Sequence, residues 1–362
     1  MPVGQLSFEA YRLETENYIR NNREFVSEDR DLEVSYNAPR EWRPKGVPAG
    51  EPPAKGILLV HGLGDSPWSF TDLGPALAGK GFLARAVLLP GCGTNPEDMM
   101  VVTVDDWRRV VAEQAEMLGS EVGELYLGGF SNGANLVLEY AHGHPEVKGL
   151  ALFSPAFKSG LSLDFLAPLV SVFKDWVISP RQGHPVKDER RYGIVPANAF
   201  AQFYYASASA RRLLMKEPFD RPVVIVLSER DSVLDVPYLI GLFKKSFTNP
   251  RSRLIYYGRK AKGPPGRSYF RPDYLPEWRV SNFSHMGVMF SPANPDYGFN
   301  GLSPLCENGQ EEVAYRRCLE GEEVWGSAWG YVEEGKTHAR LTFNPYFDWQ
   351  LEIVLGVLGI VD

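Results

Sequence analysis

The chain has 362 residues, 44% of them apolar and 23% charged, with 38 Lys plus Arg against 45 Asp plus Glu and a net charge of −7. This usage excludes disorder, which needs low hydrophobicity and high net charge, and it lacks the clustered positive charge of a nucleic-acid binder. No stretch approaches the roughly 20 apolar residues of a membrane span, and the length suits one large or two modest domains.

Residues 1–50 read as a polar N-terminal extension with a helix near Phe8–Asn21. Its first 25 residues are studded with charge and carry no apolar signal-peptide core, so the chain as written reads as soluble and cytoplasmic. Glu41–Lys55 is Pro-rich and reads as a surface linker. The pattern then changes to short apolar runs alternating with amphipathic stretches. Strands are predicted at Gly56–Val60, Phe82–Leu89, Glu124–Leu127, Gly149–Phe153 and Pro222–Ser228, with further candidates at Ser252–Tyr257 and Trp278–Ser281. Helices are predicted at Thr71–Gly79, Val104–Gly119, Asn135–His142 and Phe347–Val361. Strict alternation predicts an α/β fold with a parallel sheet covered on both faces. Residues 158–221 interrupt it with two helical stretches, Phe165–Val177 and Ala197–Lys216, and many aromatics. An insertion at the carboxyl edge of a sheet sits over the ligand crevice, so the segment reads as a lid on a core made of 51–157 and 222–362.

Gly129-Phe130-Ser131-Asn132-Gly133 lies between a predicted strand and a predicted helix, the setting of a nucleophile elbow. Small residues flank the serine because the turn is tight. A serine hydroxyl needs a base. Of six histidines, His61 follows the first core strand, His142 and His144 flank a helix end, His184 sits in the lid and His338 lies in a charged stretch. His285, in a late loop, is therefore the predicted base. The predicted acid is Asp231, just past the strand Pro222–Ser228, with Glu229 and Asp235 as competitors. It would fix the imidazole tautomer and stabilise the imidazolium. Backbone N–H groups of Asn132 and Leu63 are the expected oxyanion donors, with His61 and Gly62 shaping the loop that carries Leu63. Trp68, Phe70, Phe130 and Met286 are read as lining an apolar substrate pocket, with core packing as the alternative.

His61-Gly62-Leu63-Gly64, the Ser131 elbow, Asp231-Ser232-Val233 and Ser284-His285-Met286 together resemble the α/β-hydrolase superfamily, in its monoacylglycerol lipase, carboxylesterase and serine-aminopeptidase (S33)-like branch. The resemblance covers about residues 55–290 and the final helix. It implies an eight-stranded, mostly parallel sheet flanked by helices, with a small helical lid after the sixth strand. It also implies a serine hydrolase that cleaves carboxylic esters of a small-molecule substrate through an acyl-enzyme, with no metal and no cofactor. A peptidase or thioesterase using the same three residues, and a non-enzymatic binding module on the same scaffold, are the alternatives. A metal hydrolase built on His142 and His144 would need at least one more donor.

Three departures stand out. Cys92 occupies a position where such proteins usually carry histidine. The stretch Arg251–Arg279 holds eight Lys or Arg against two acids, and reads either as a solvated loop or as a rim attracting anionic groups. The acidic segment Ser291–Lys336 has no functional reading. Within it, Cys306 and Cys318 are either two free thiols or a disulfide. A disulfide, with a leader removed, would place the protein in the periplasm or outside the cell.

Overall fold

The computed structural model describes residues 2–48, 51–177 and 186–360. His184 lies outside the described residues. An eight-stranded sheet runs in the order β1-β3-β2-β4-β5-β6-β7-β8, and the chain divides into two compact units, Met1–Leu150 with Ser162–Glu217, and Ala151–Leu161 with Pro218–Asp362.

In the first unit the chain begins with α1 (Phe8–Asn22), α2 (Arg30–Asn37) and β1 (Arg40–Trp42). The N-terminal extension is folded onto its own unit. The Tyr11 hydroxyl donates to the Leu88 carbonyl at 3.0 Å and accepts from the Leu88 N–H at 3.1 Å. Arg23 pairs with Glu33 at 2.7 Å, both side chains essentially inaccessible, and donates further to the Gly93 and Asp188 carbonyls. Next come β2 (Lys55–Val60), α3 (Leu73–Ala78), β3 (Phe82–Val87), α4 (Val104–Glu121), β4 (Glu124–Phe130), α5 (Asn132–Gly143) and β5 (Val147–Phe153), the last passing into the second unit after Leu150. β2 pairs in parallel with both β3 and β4, while β1 runs antiparallel to β3. The central strands are apolar without alternation because both faces are covered. Helix α4 begins at a capping box between Thr103 and Asp106, and it buries the predicted stripe of Val104, Trp107, Val110, Val111, Ala115 and Leu118.

Helices α6 (Ala167–Phe173) and α7 (Ala197–Lys216) complete the unit. Small buried residues on α7 (Ala199, Ala206, Ala210) let it pack closely on α5. In contrast, Phe165, Leu169, Val172 and Phe173 are 53–77% exposed. This insertion follows the fifth strand of the chain, not the expected sixth, because a single strand precedes β2.

The second unit contains β6 (Val223–Ser228), α8 (Val236–Ser246), β7 (Arg253–Gly258) and β8 (Ser268–Pro272), with β6–β7 and β7–β8 parallel. The basic stretch therefore builds two strands. Several of its cations are used internally: Arg251 bonds to the Val357 carbonyl, Arg267 to that of Phe247, and Arg271 stacks over Trp349. The predicted strand at Trp278–Ser281 does not form. Arg279 adopts a left-handed conformation that ends a short helical turn, and Val280 makes only isolated bridges. The acidic segment folds into α9 (Glu312–Leu319) and a parallel pair, β9 (Val324–Ser327) and β10 (Thr337–Arg340). Cys306 and Cys318 form a disulfide across 12 residues, with a Cα–Cα distance of 5.6 Å. Helix α10 (Phe347–Val357) packs on β6 and β7 and ends four residues before the predicted Val361. No helix among the described residues is long and apolar enough to cross a membrane.

Candidate active site

At the end of β4 the chain turns sharply into α5 through Ser131, which has φ 54° and ψ −117°. A residue with a Cβ rarely adopts positive φ, and such strain persists only where its surroundings enforce it. Here the neighbours are glycines that cannot be replaced. A Cβ on Gly133 would lie 2.0 Å from the Val60 carbonyl oxygen, and one on Gly129 would lie 2.6 Å from the Ala134 backbone. Ser131 is 9% exposed and precedes the first residue of α5. The Asn132 amide, as the first N–H of that helix, has no acceptor within it.

The loop after β2 lies against this elbow. A Cβ on Gly62 would come within 3.1 Å of Ser131 Cβ and 3.2 Å of the Phe130 ring. His61 is bonded at both ring nitrogens: its Nδ1–H donates to the Gly62 carbonyl at 2.8 Å, and its Nε2 accepts the Leu89 N–H at 3.0 Å. Both ring nitrogens are spent, and burial pulls the imidazole pKa below its ordinary value. Leu63 follows, partly exposed, and the turn closes through Asp65 N–H to the Gly62 carbonyl at 3.3 Å. Tyr192 pins the next residue, its N–H reaching the Gly64 carbonyl at 2.7 Å. Cys92 is buried, and desolvation pushes its thiol up to about 12. It is a packing residue here, with no thiolate character at neutral pH.

The second unit contains the predicted acid and base, Asp231 and His285. Asp231 follows β6, and its side chain is inaccessible. Its Oδ1 accepts the N–H groups of Val233 (2.9 Å) and Leu234 (3.2 Å), while Oδ2 lies 2.7 Å from His285 Nδ1. A carboxylate at that distance favours the tautomer with the proton on Nδ1. The two competing acids are engaged elsewhere. Glu229 accepts the Arg259 N–H and pairs with Lys262, and Asp235 caps α8 and pairs with Lys158.

Two serines that the sequence reading passed over hold the histidine turn. Ser154 Oγ donates to the His285 carbonyl at 2.8 Å, and Ser228 Oγ to the Ser284 carbonyl at 3.1 Å. Ser154 stands at φ 43°, a second strained position. A Ser-Pro step after a strand marks a turn in sequence, but nothing in it marks a hydroxyl aimed at a loop 131 residues away.

The remaining candidates are placed as follows. Phe70 is fully buried, and Phe130 and Met286 nearly so. Trp68 is buried too, edge-on to Tyr36 and beneath the Arg190 guanidinium. His142 bonds to the Glu217 carbonyl, and His144 stacks on Tyr140.

Residues 51–192 match the family model of the serine aminopeptidase S33 hydrolases. A thermostable monoacylglycerol lipase from Bacillus sp. (strain H-257) is 30% identical over 187 residues, which cover 49% of this chain and 71% of that protein. The chain belongs to the α/β-hydrolase superfamily, in its monoacylglycerol lipase and serine aminopeptidase branch. A solved structure of this α/β-hydrolase fold, described as that of the metagenome-derived lipolytic enzymes LipS and LipT, superposes with a TM-score of 0.50 at 23% identity, covering 60% of this chain and 86% of its own. The monoacylglycerol lipase of Paleococcus ferrophilus is similar at 19% identity and a TM-score of 0.47, covering 60% of this chain and 87% of its own. For this α/β-hydrolase, residues beyond 192, which include Asp231 and His285, fall outside the matched family model.

Proposed function

We propose that this chain is a serine hydrolase that cleaves carboxylic esters, of the carboxylesterase or monoacylglycerol lipase kind, using Ser131, His285 and Asp231. The observation that carries the reading is the Asp231–His285 hydrogen bond of 2.7 Å, which fixes the Nδ1 side of the imidazole on a buried carboxylate. In the first step His285 Nε2 takes the Ser131 proton as Oγ attacks the substrate carbonyl. The Leu63 and Asn132 amides receive the oxyanion, and the imidazolium returns its proton to the departing alcohol. Water, deprotonated by the same histidine, then releases the acid and regenerates the serine. Phe130 and Met286, neighbours of the reacting groups in sequence, are assigned to the acyl side of the pocket. Residues 158–221 are assigned the role of lid.

Two observations favour an ester of a lipid-like acid over a peptide. The curated relative is named a monoacylglycerol lipase. The insertion also exposes Phe165, Leu169, Val172 and Phe173, a surface suited to apolar material.

Labelling with a fluorophosphonate, followed by peptide mass spectrometry, tests the reading. The expected adduct is on Ser131 alone, lost in His285→Ala. Absence of any adduct on native protein would overturn it.

A further inference from the structure

The segment 303–341, which carries the disulfide, has no part in the chemistry above, yet it is bonded to the turn that carries His285. Three rungs connect them. Gly326 of β9 donates its N–H to the Arg279 carbonyl at 2.7 Å and accepts the Ser281 N–H at 2.9 Å. The next rung runs from the Ala328 N–H to Asn282 Oδ1 at 2.8 Å. The third is Ser284, whose Oγ donates to the Leu341 carbonyl at 2.5 Å and accepts the N–H groups of Met286 (3.2 Å) and Gly287 (3.0 Å). A hydroxyl has one proton and two lone pairs, so Ser284 is fully committed. It closes the turn around His285 and ties that turn to Leu341. Leu341 in turn donates its N–H at 2.9 Å to the carbonyl of Ser327, the last residue of β9. The far side of the segment is stiffened by the Cys306–Cys318 bond and by Tyr315, Ala339 and Val324 packed around it. The fit is close: a Cβ on Gly287 would lie 3.0 Å from the Leu341 side chain.

We propose that Asn282 and Ser284 are positioning residues for His285, and that the segment 303–341 is the brace they attach it to. Ser154 and Ser228 fix the backbone of the turn from the strand ends, and the brace fixes it from the opposite side in sequence. The imidazole is thereby aimed by contacts on both flanks. This rests on His285 being the general base.

The test is ester hydrolysis by Ser284→Ala, Ser284→Thr and Asn282→Ala, with kcat, KM, the pH profile of kcat/KM and melting temperature measured for each. A displacement of about 1 Å costs about 10²-fold in rate. Ser284→Ala is therefore expected to lose about 10²-fold in kcat with KM within about twofold, and to move the acid limb of the pH profile. Ser284→Thr, which keeps the hydroxyl, restores most of the loss, and Asn282→Ala loses about tenfold. Wild-type kcat and an unmoved pH profile in Ser284→Ala would overturn the proposal. Should that variant fail to fold, the same result in Asn282→Ala would overturn it. His285→Ala separates the two levels: full activity there sinks the reading of the base itself, whereas an inactive His285→Ala beside a fully active Ser284→Ala sinks only the brace.

Discussion

His285 and Asp231, 54 residues apart, are joined by a hydrogen bond of 2.7 Å, while Glu229 and Asp235, two residues before Asp231 and four after it, are bonded to other groups. The difference is one of direction. Asp231 sits on the turn leaving β6 with its backbone tied to Ser228, and its second oxygen is fixed by two amides.

It follows that Asp231→Asn should fold and lose about 10⁴ in kcat, because an amide facing Nδ1 favours the wrong tautomer. Glu229→Gln and Asp235→Asn should stay within about threefold of wild type, a small change on the transition-state scale. Steady-state kinetics on a p-nitrophenyl ester distinguishes these outcomes.

His61 makes stability depend on pH. Its folded pKa lies below the ordinary 6.5 because it is buried. Above 6.5 it is neutral in both states and its stabilisation is complete. As pH falls below 6.5 the unfolded chain takes up a proton that the folded one refuses, so stability drops, by at most about 1.4 kcal/mol per pH unit. His338 is shifted in the same direction by burial and adds to the slope. Urea unfolding at pH 7.5 and 5.5 should show the loss, and His61→Gln should reduce it. An equal slope in the variant would refute the assignment.

The buried Arg23–Glu33 pair ties α1 and α2 together. Removing one partner strands a buried charge, so Arg23→Ala should cost about 3–5 kcal/mol. Equilibrium unfolding measures it.

The Cys306–Cys318 bond joins positions 12 apart in sequence. Replacing both by serine should lower stability by about 3 kcal/mol through the freed unfolded chain. The melting temperature should fall, and added reductant should have no further effect on the variant.

What the sequence made legible follows from burial. β2, β4 and β6 are continuous apolar runs, and α7 shows helical spacing over its whole length, so both were readable locally. The elbow was readable because its glycines are forced by contacts under 3 Å. β8 was missed because it is a partly exposed outer strand in a basic, Pro-rich stretch with no apolar run. α8 carried a usable signal, Asp235 as cap and Pro237 in the first turn, that went unread. β9 and β10 are four residues each and owe their pairing to contacts far along the chain, which local pattern cannot report. The roles of Ser154, Ser228 and Ser284 are likewise long-range: each bonds a carbonyl at least 56 residues away.

The most direct measurement is kcat/KM across a p-nitrophenyl ester series, from acetate to palmitate, for wild type and Ser131→Ala. The account predicts turnover by wild type, with an optimum that sizes the acyl pocket, and a loss of several orders of magnitude in the variant at unchanged melting temperature. Equal rates in the two proteins, or no wild-type turnover of any ester, would contradict it.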